Sequence, residues 1–113
     1  MHELAITKSL IELIEAEAEQ QKFDRALEIT LRIGEFSGIV PECMEEYFPL
    51  AAEGTVAEGA KLVFELSRAT FRYRDCGYEG EPDRQKACCP VCSGLSMQML
   101  TGKEFLVESL KVE

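Results

Sequence analysis

The sequence predicts an α+β protein, and three observations carry that prediction. Apolar residues recur every three or four positions near the start. Two later stretches alternate them every second position. A cysteine-rich segment then interrupts the chain before a last apolar run. The expected order is helix, strand, helix, strand, cysteine-rich insert, strand. The sequence holds no internal repeat and no low-complexity tract.

From Leu4 to Gln21, residues Ile6, Leu10, Leu13, Ile14 and Ala18 fall on one side of a helix. Lys8, Glu12, Glu15 and Glu19 fall mostly on the other. Next, Leu27, Ile29, Leu31 and Ile33 alternate with Glu28, Thr30 and Arg32, which describes a strand with one buried face. Gly34, Ser37 and Gly38 end it. Pro41 suits the first turn of a second helix, whose Met44, Tyr47, Phe48 and Ala51 or Ala52 are expected inside. Pro49 should kink or end that helix, because it lacks a donor and clashes with the preceding turn. Gly54 and Gly59 bracket a loop. In the following strand Leu62, Phe64 and Leu66 share a face, and the parity then switches to Ala69, Phe71 and Tyr73. Such a switch indicates a bulge or a passage between domains. Residues 75–94 are too poor in apolar residues to build a core, so something else must hold them. Residues 104–112 close the chain as a strand, with Phe105, Leu106, Val107, Leu110 and Val112.

Charge narrows the function. The 113 residues hold 12 Lys and Arg against 21 Asp and Glu, a formal net charge of -9. That balance disfavours nucleic acid, whose binders need cations to displace phosphate counterions, and it disfavours an anionic membrane. Hydrophobic residues at 46% and charged residues at 29% place the chain in the globular range. No run approaches the roughly 18 apolar residues of a spanning helix. The start lacks the basic residues of a signal peptide, and Glu12, Glu15 and Glu17 interrupt its apolar positions. A cytoplasmic protein is expected, and there five cysteines read as metal ligands before disulfides.

The strongest short motif is Cys89-Pro90-Val91-Cys92-Ser93-Gly94, a turn that aims two sulfurs and several N–H groups at one ion. Cys76-Gly77 lies upstream. A zinc ribbon wants a second cysteine three residues before Cys76, where this chain has Tyr73. Cys76, Cys89 and Cys92 thus offer three thiolates, while closed structural zinc sites are nearly always four-coordinate. Cys88 is one candidate for the fourth ligand, although adjacent residues seldom both turn inward. Water, Asp75 or a partner molecule are the others. Zinc is preferred to a disulfide or a poorly ordered lobe. Cys43, in the second helix, reads as filler.

The other candidate ligand set is terminal. His2 is too large for removal of the initiator, so Met1 is expected to stay and leave a free amine. That amine, the His2 backbone nitrogen and its ring nitrogen form two fused chelate rings. An α-amine titrates near about 7.7–8.0 and a histidine near about 6.5, so neither is costly to deprotonate. The positive end of the first helix disfavours both protonated forms further. Nitrogen-rich square-planar sets suit Ni(II) or Cu(II), and Glu3 adds a carboxylate as ligand or as orienter. From Met1-His2-Glu3 alone, an exposed terminus is the commoner reading.

Taken together, these motifs resemble the HypA/HybF family of nickel metallochaperones for [NiFe]-hydrogenase maturation. The likeness runs from Met1-His2-Glu3 through Leu31-Arg32-Ile33-Gly34-Glu35-Phe36-Ser37-Gly38 and Gly54-Thr55-Val56-Ala57-Glu58-Gly59-Ala60 to Cys76-Gly77 and Cys89-Pro90-Val91-Cys92. The resemblance implies two helices packed on a small three-stranded sheet, with a zinc-ribbon-like lobe inserted before the last strand. Residues 1–70 plus 104–113 are the expected nickel-binding domain, and 71–103 the zinc-binding lobe. It implies Ni(II) as cargo on Met1 and His2, with Glu3 needed for function, and Zn(II) as a structural ion in the lobe; the expected zinc ligands of this chain are Cys76, Cys89 and Cys92, with Cys88 as the candidate fourth. It also implies the HypB GTPase and the hydrogenase large-subunit precursor as transient partners, and a homodimer stays open. The family's zinc lobe usually has two Cys-x-x-Cys pairs, and Tyr73 departs from that pattern.

Three other readings compete. A zinc-stabilised interaction adaptor needs no response to nickel at the N-terminus. A rubredoxin-like iron carrier needs four thiolates and colour. An enzyme is least favoured, because the lone histidine is terminal and no nucleophile turn or phosphate-cradling glycine loop is present.

Overall fold

The structure, a computed structural model, describes residues 3–113. Two helices and six strands follow one another as α1 (Glu3–Gln21), β1 (Ala26–Gly34), α2 (Pro41–Ala51), β2 (Lys61–Ser67), β3 (Thr70–Tyr73), β4 (Glu79–Gly80), β5 (Met97–Thr101) and β6 (Phe105–Val112). They form two three-stranded sheets, ordered β2-β1-β6 and β4-β3-β5. The chain divides into two compact units. One holds residues 1–32, 39–65 and 106–113, and the other holds 33–38 and 66–105. The α+β class and the insert before the last strand are as expected. The second unit takes in residues 33–38, 66–70 and 104–105 in addition to 71–103.

In the first unit, α1 buries Thr7, Leu10, Ile11, Ile14 and Ala18, a stripe of three- and four-residue steps. Leu13, expected inside, is half exposed, and Thr7 and Ile11 take the inner positions. Thr7 tolerates full burial because its hydroxyl donates to the Glu3 carbonyl one turn back. Strand β1 lies between two edge strands and buries Ile29, Leu31 and Ile33. Its neighbours are edges; Leu106 lies on the outward face of the β6 alternation, and Leu66 is exposed near the end of β2. Helix α2 packs against α1. It starts with Pro41 and buries Met44 and Phe48, while Tyr47 is exposed. Pro49 sits inside it, and the helix stops at Ala51, where the Ala52 N–H closes on the Phe48 carbonyl at 2.9 Å.

The second unit begins where the apolar parity switches. Strand β2 stops at Ser67 and the separate β3 starts at Thr70. Strand β3 pairs antiparallel with β5 through Phe71↔Met99, Arg72↔Gln98 and Tyr73↔Met97, with an irregularity between Thr70 and Phe71. On its other side Phe71 faces Gly80 and Arg72 faces Glu79. Ala69, Phe71, Tyr73 and Cys89 form a small core, with Tyr78 and Met99 against it. The Tyr73 ring lies 6.2 Å from that of Phe71 and 6.0 Å from that of Tyr78. The core is therefore built from β3 and β5, and the segment 75–94 adds little beyond Tyr78, Cys88 and Cys89.

Residues 34–38 are knitted into this unit by backbone hydrogen bonds. Gly34 N–H donates to the Glu104 carbonyl at 2.7 Å, Glu35 N–H to Ser67 at 2.8 Å and Phe36 N–H to Gly102 at 2.6 Å. A Cβ on Gly34 would lie 2.3 Å from the carbonyl carbon and oxygen of Gly102, so only glycine allows this approach. The Glu35 carboxylate accepts the Ala69 N–H at 2.9 Å and binds Arg84 through both of its oxygens. Arg84 also reaches Glu81 at 3.0 Å. The Arg84 guanidinium first, and the Ala69 N–H second, hold the Glu35 carboxyl at about 2, down from 4.5.

Two predictions follow from these contacts. Gly34→Ala should destabilise the protein by about 1–3 kcal/mol in chemical denaturation, the usual cost of overpacking; an unchanged midpoint would contradict the close approach. Glu35 contributes stability above pH 4.5 that is lost as pH falls towards about 2, because its folded-state value is the lower one. The stability gap between wild type and Glu35→Gln should shrink over that interval. A gap that is constant across it would rule out the ion pair as the cause.

Candidate metal centre

Two turns of the second unit have the same hydrogen-bond pattern. In the first, Tyr73 N–H donates to the Tyr78 carbonyl at 2.9 Å and Gly77 N–H to Tyr73 at 2.8 Å. In the second, Cys89 N–H donates to the Gly94 carbonyl at 3.0 Å and Ser93 N–H to Cys89 at 2.9 Å. The matching residues Gly77 and Ser93 both take the left-handed conformation, with φ of 79° and 64°. Tyr73 thus corresponds to Cys89, and Cys76 to Cys92.

The turns bring Cys76, Cys89 and Cys92 together, with ligand atoms all within 4.8 Å of one another. Cys76 and Cys89 sulfurs are 3.5 Å apart. Sulfurs at about 2.3 Å from a tetrahedral zinc stand roughly 3.8 Å apart, so the set fits one ion. Backbone donors supply the surrounding shell: Val91 N–H reaches Cys89 Sγ at 3.4 Å, and Gly94 N–H reaches Cys92 Sγ at 3.4 Å. All five cysteines of the chain are free thiols.

The electrostatics of the three sulfurs favour a cation. Burial raises the Cys89 thiol, but the N–H groups of Cys92 and Val91 and then the neighbouring sulfurs outweigh it, and the net shift is downward. For Cys76, the Tyr78 N–H lowers the thiol, while burial and the sulfurs of Cys89 and Cys92 raise it more. One thiolate forms readily and opposes the next. A divalent ion removes that opposition and deprotonates all three.

Cys88 does not join the group. It is buried, and its backbone pairs with Asp83, whose N–H donates to the Cys88 carbonyl at 2.8 Å. Successive residues of an extended segment point to opposite sides, so Cys89 turns to the cluster and Cys88 away. Tyr73 occupies the corner that a fourth thiolate would take, yet its ring is fully buried and its hydroxyl has no hydrogen-bond partner. Burial first, and then the nearby Cys89, Cys88 and Tyr78, push its phenol above the usual value. It serves as core, not as ligand. Cys43 is half-buried.

Of the terminal set, Met1 and His2 lie outside the described residues. Glu3 opens α1 and is buried, and its Oε2 accepts the Val40 N–H at 3.3 Å. Its own N–H and that of Val40 hold its carboxyl below the ordinary value. Glu3 therefore ties the start of α1 to the segment preceding α2. Sequence reading did not foresee that contact.

Fold and site define a class: a small α+β protein with a thiolate metal centre on an inserted lobe. The family model described as "Hydrogenase/urease nickel incorporation, metallochaperone, hypA" matches residues 1–112, and the chain belongs to that HypA family. The hydrogenase maturation factor HypA of Caldanaerobacter subterraneus subsp. tengcongensis is 42% identical over 114 residues, covering 100% of both chains. That of Aquifex aeolicus is 35% identical over 113 residues, covering 100% of this chain and 98% of its own. The solution structure of the Ni metallochaperone HypA from Helicobacter pylori has the same fold, with a TM-score of 0.75 at 24% identity over 99% of this chain and 97% of the other. The family comprises metallochaperones and maturation factors, nickel cargo fits it, and the three-sulfur cluster is compatible with structural zinc. Among the described residues no helix is long and apolar enough to cross a membrane.

Proposed function

We propose that this protein binds Ni(II) at its N-terminus and delivers it for [NiFe]-hydrogenase maturation, while zinc on Cys76, Cys89 and Cys92 holds the second unit in shape. The observation that carries the reading is the family match, which begins at residue 1 and runs through the thiolate cluster to residue 112. The Met1 amine and the His2 nitrogens are the cargo ligands. Glu3 follows them in the sequence, and its carboxylate accepts the Val40 N–H. The two ions differ in what they require. Three soft thiolates keep zinc in place, whereas a terminal nitrogen set with few protein ligands releases its ion to a recipient. The recipients in this reading are the HypB GTPase and the hydrogenase large-subunit precursor, reached in the cytoplasm by a protein that performs no catalysis itself. A homodimer is compatible with the same scheme.

Metal analysis of untagged protein tests the division. His2→Ala should abolish Ni(II) binding and leave zinc content unchanged; loss of both metals, or of neither, counts against it. An extension ahead of Met1 converts the amine to an amide, and calorimetry should then show weaker nickel binding. Equal affinity with and without the extension would remove the amine from the ligand set. Cys76→Ser should weaken zinc by at least about tenfold in competition with a chelator, with nickel binding retained.

A further inference from the structure

We infer that Cys76 and Cys89 are a site of oxidation by peroxide, and that the disulfide formed there displaces the zinc ion. The inference rests on the structural-zinc reading above. The two sulfurs stand 3.5 Å apart. They come from different turns, so a bond between them would join the same two turns that zinc joins. Their exposure is unequal: Cys76 is exposed and Cys89 is buried. A peroxide arriving from solvent meets Cys76 first, with Cys89 in contact behind it. Oxidation-sensitive cysteines share this layout, an accessible sulfur with a second thiol beside it to resolve the product.

The chemistry balances without a further reactant. The Cys76 sulfur attacks one peroxide oxygen, the O–O bond breaks and hydroxide leaves, giving a sulfenic acid. The Cys89 thiolate then attacks the Cys76 sulfur, the S–O bond breaks, a second hydroxide leaves and the S–S bond forms. The two sulfurs are oxidised by one electron each, and the peroxide is reduced. The consequence for zinc follows from Tyr73. A four-thiolate centre would keep two sulfurs after this step. Here Tyr73 belongs to the core, and among the described residues the cluster is left with Cys92 alone. One thiolate is far short of the four ligands of a closed site, so the ion departs. Cys92 is exposed as well, but it shares a turn with Cys89, whereas Cys76 touches Cys89 across the turns.

The test uses zinc-loaded, full-length untagged protein treated with hydrogen peroxide. Cleavage after Lys and Arg places Cys76 in peptide 75–84, and Cys88, Cys89 and Cys92 in peptide 87–103. Mass spectrometry without reduction should find these two peptides joined, with fragmentation placing the bond on Cys89. A chromophoric zinc indicator should record loss of zinc in step with the joined product, and a dithiol reductant should restore zinc uptake. These wild-type readouts do not depend on any variant folding. Cys88→Ser should still give the joined peptides, and Cys76→Ser should lose them. A bond confined to peptide 87–103, a bond from Cys76 to Cys88 or Cys92, or joined peptides with zinc retained would each overturn the inference while leaving structural zinc intact. Protein that takes up no zinc before oxidation would overturn the zinc reading instead.

Discussion

Convergence of three sulfurs on one point is the constraint on which the second unit depends. Its apolar core is small: Ala69, Phe71, Tyr73 and Cys89, with Tyr78 and Met99 against them. Around that core run residues 75–94, rich in turns and charge, which bury little surface of their own. The two matched turns set Cys76, Cys89 and Cys92 side by side, where ionised thiols repel one another. A cation bound there would convert that repulsion into a cross-link between the two turns. The Tyr73 ring packs against those of Phe71 and Tyr78, so the position matching Cys89 in the other turn is used for apolar packing.

The first unit follows a different logic. It is held by ordinary burial, with β1 between two edge strands and α1 and α2 packed together. Its polar feature is at the start of α1, where Glu3 and Thr7 are buried and hydrogen-bonded. Glu3 is thereby tied to Val40, ahead of α2.

Much of this was legible in the sequence where periodicity is strong. Leu10, Ile14 and Ala18, Ile29, Leu31 and Ile33, and Pro41 all behave as their spacing says. The parity switch after Leu66 marked the point where β2 ends and β3 begins. The failures are of two kinds. Leu13, Tyr47 and Leu66 are exposed because composition cannot tell which of two adjacent apolar stripes meets a neighbour, or that a strand is an edge. Strands β4 and β5 were missed because one is two residues long and the other is a polar-interrupted run. At the metal centre, three sulfurs were legible from their spacing, but the place of Cys88 and the approach of Asp75 to Gly94 depend on the fold of the turns. The Glu35–Arg84 pair joins residues 49 positions apart, which no local pattern reveals.

X-ray absorption at the zinc and nickel edges of one untagged, nickel-loaded sample tests the central claim most directly. The account predicts sulfur scatterers at about 2.3 Å around zinc and only nitrogen and oxygen around nickel. Sulfur bound to nickel, or zinc without sulfur neighbours, would contradict it.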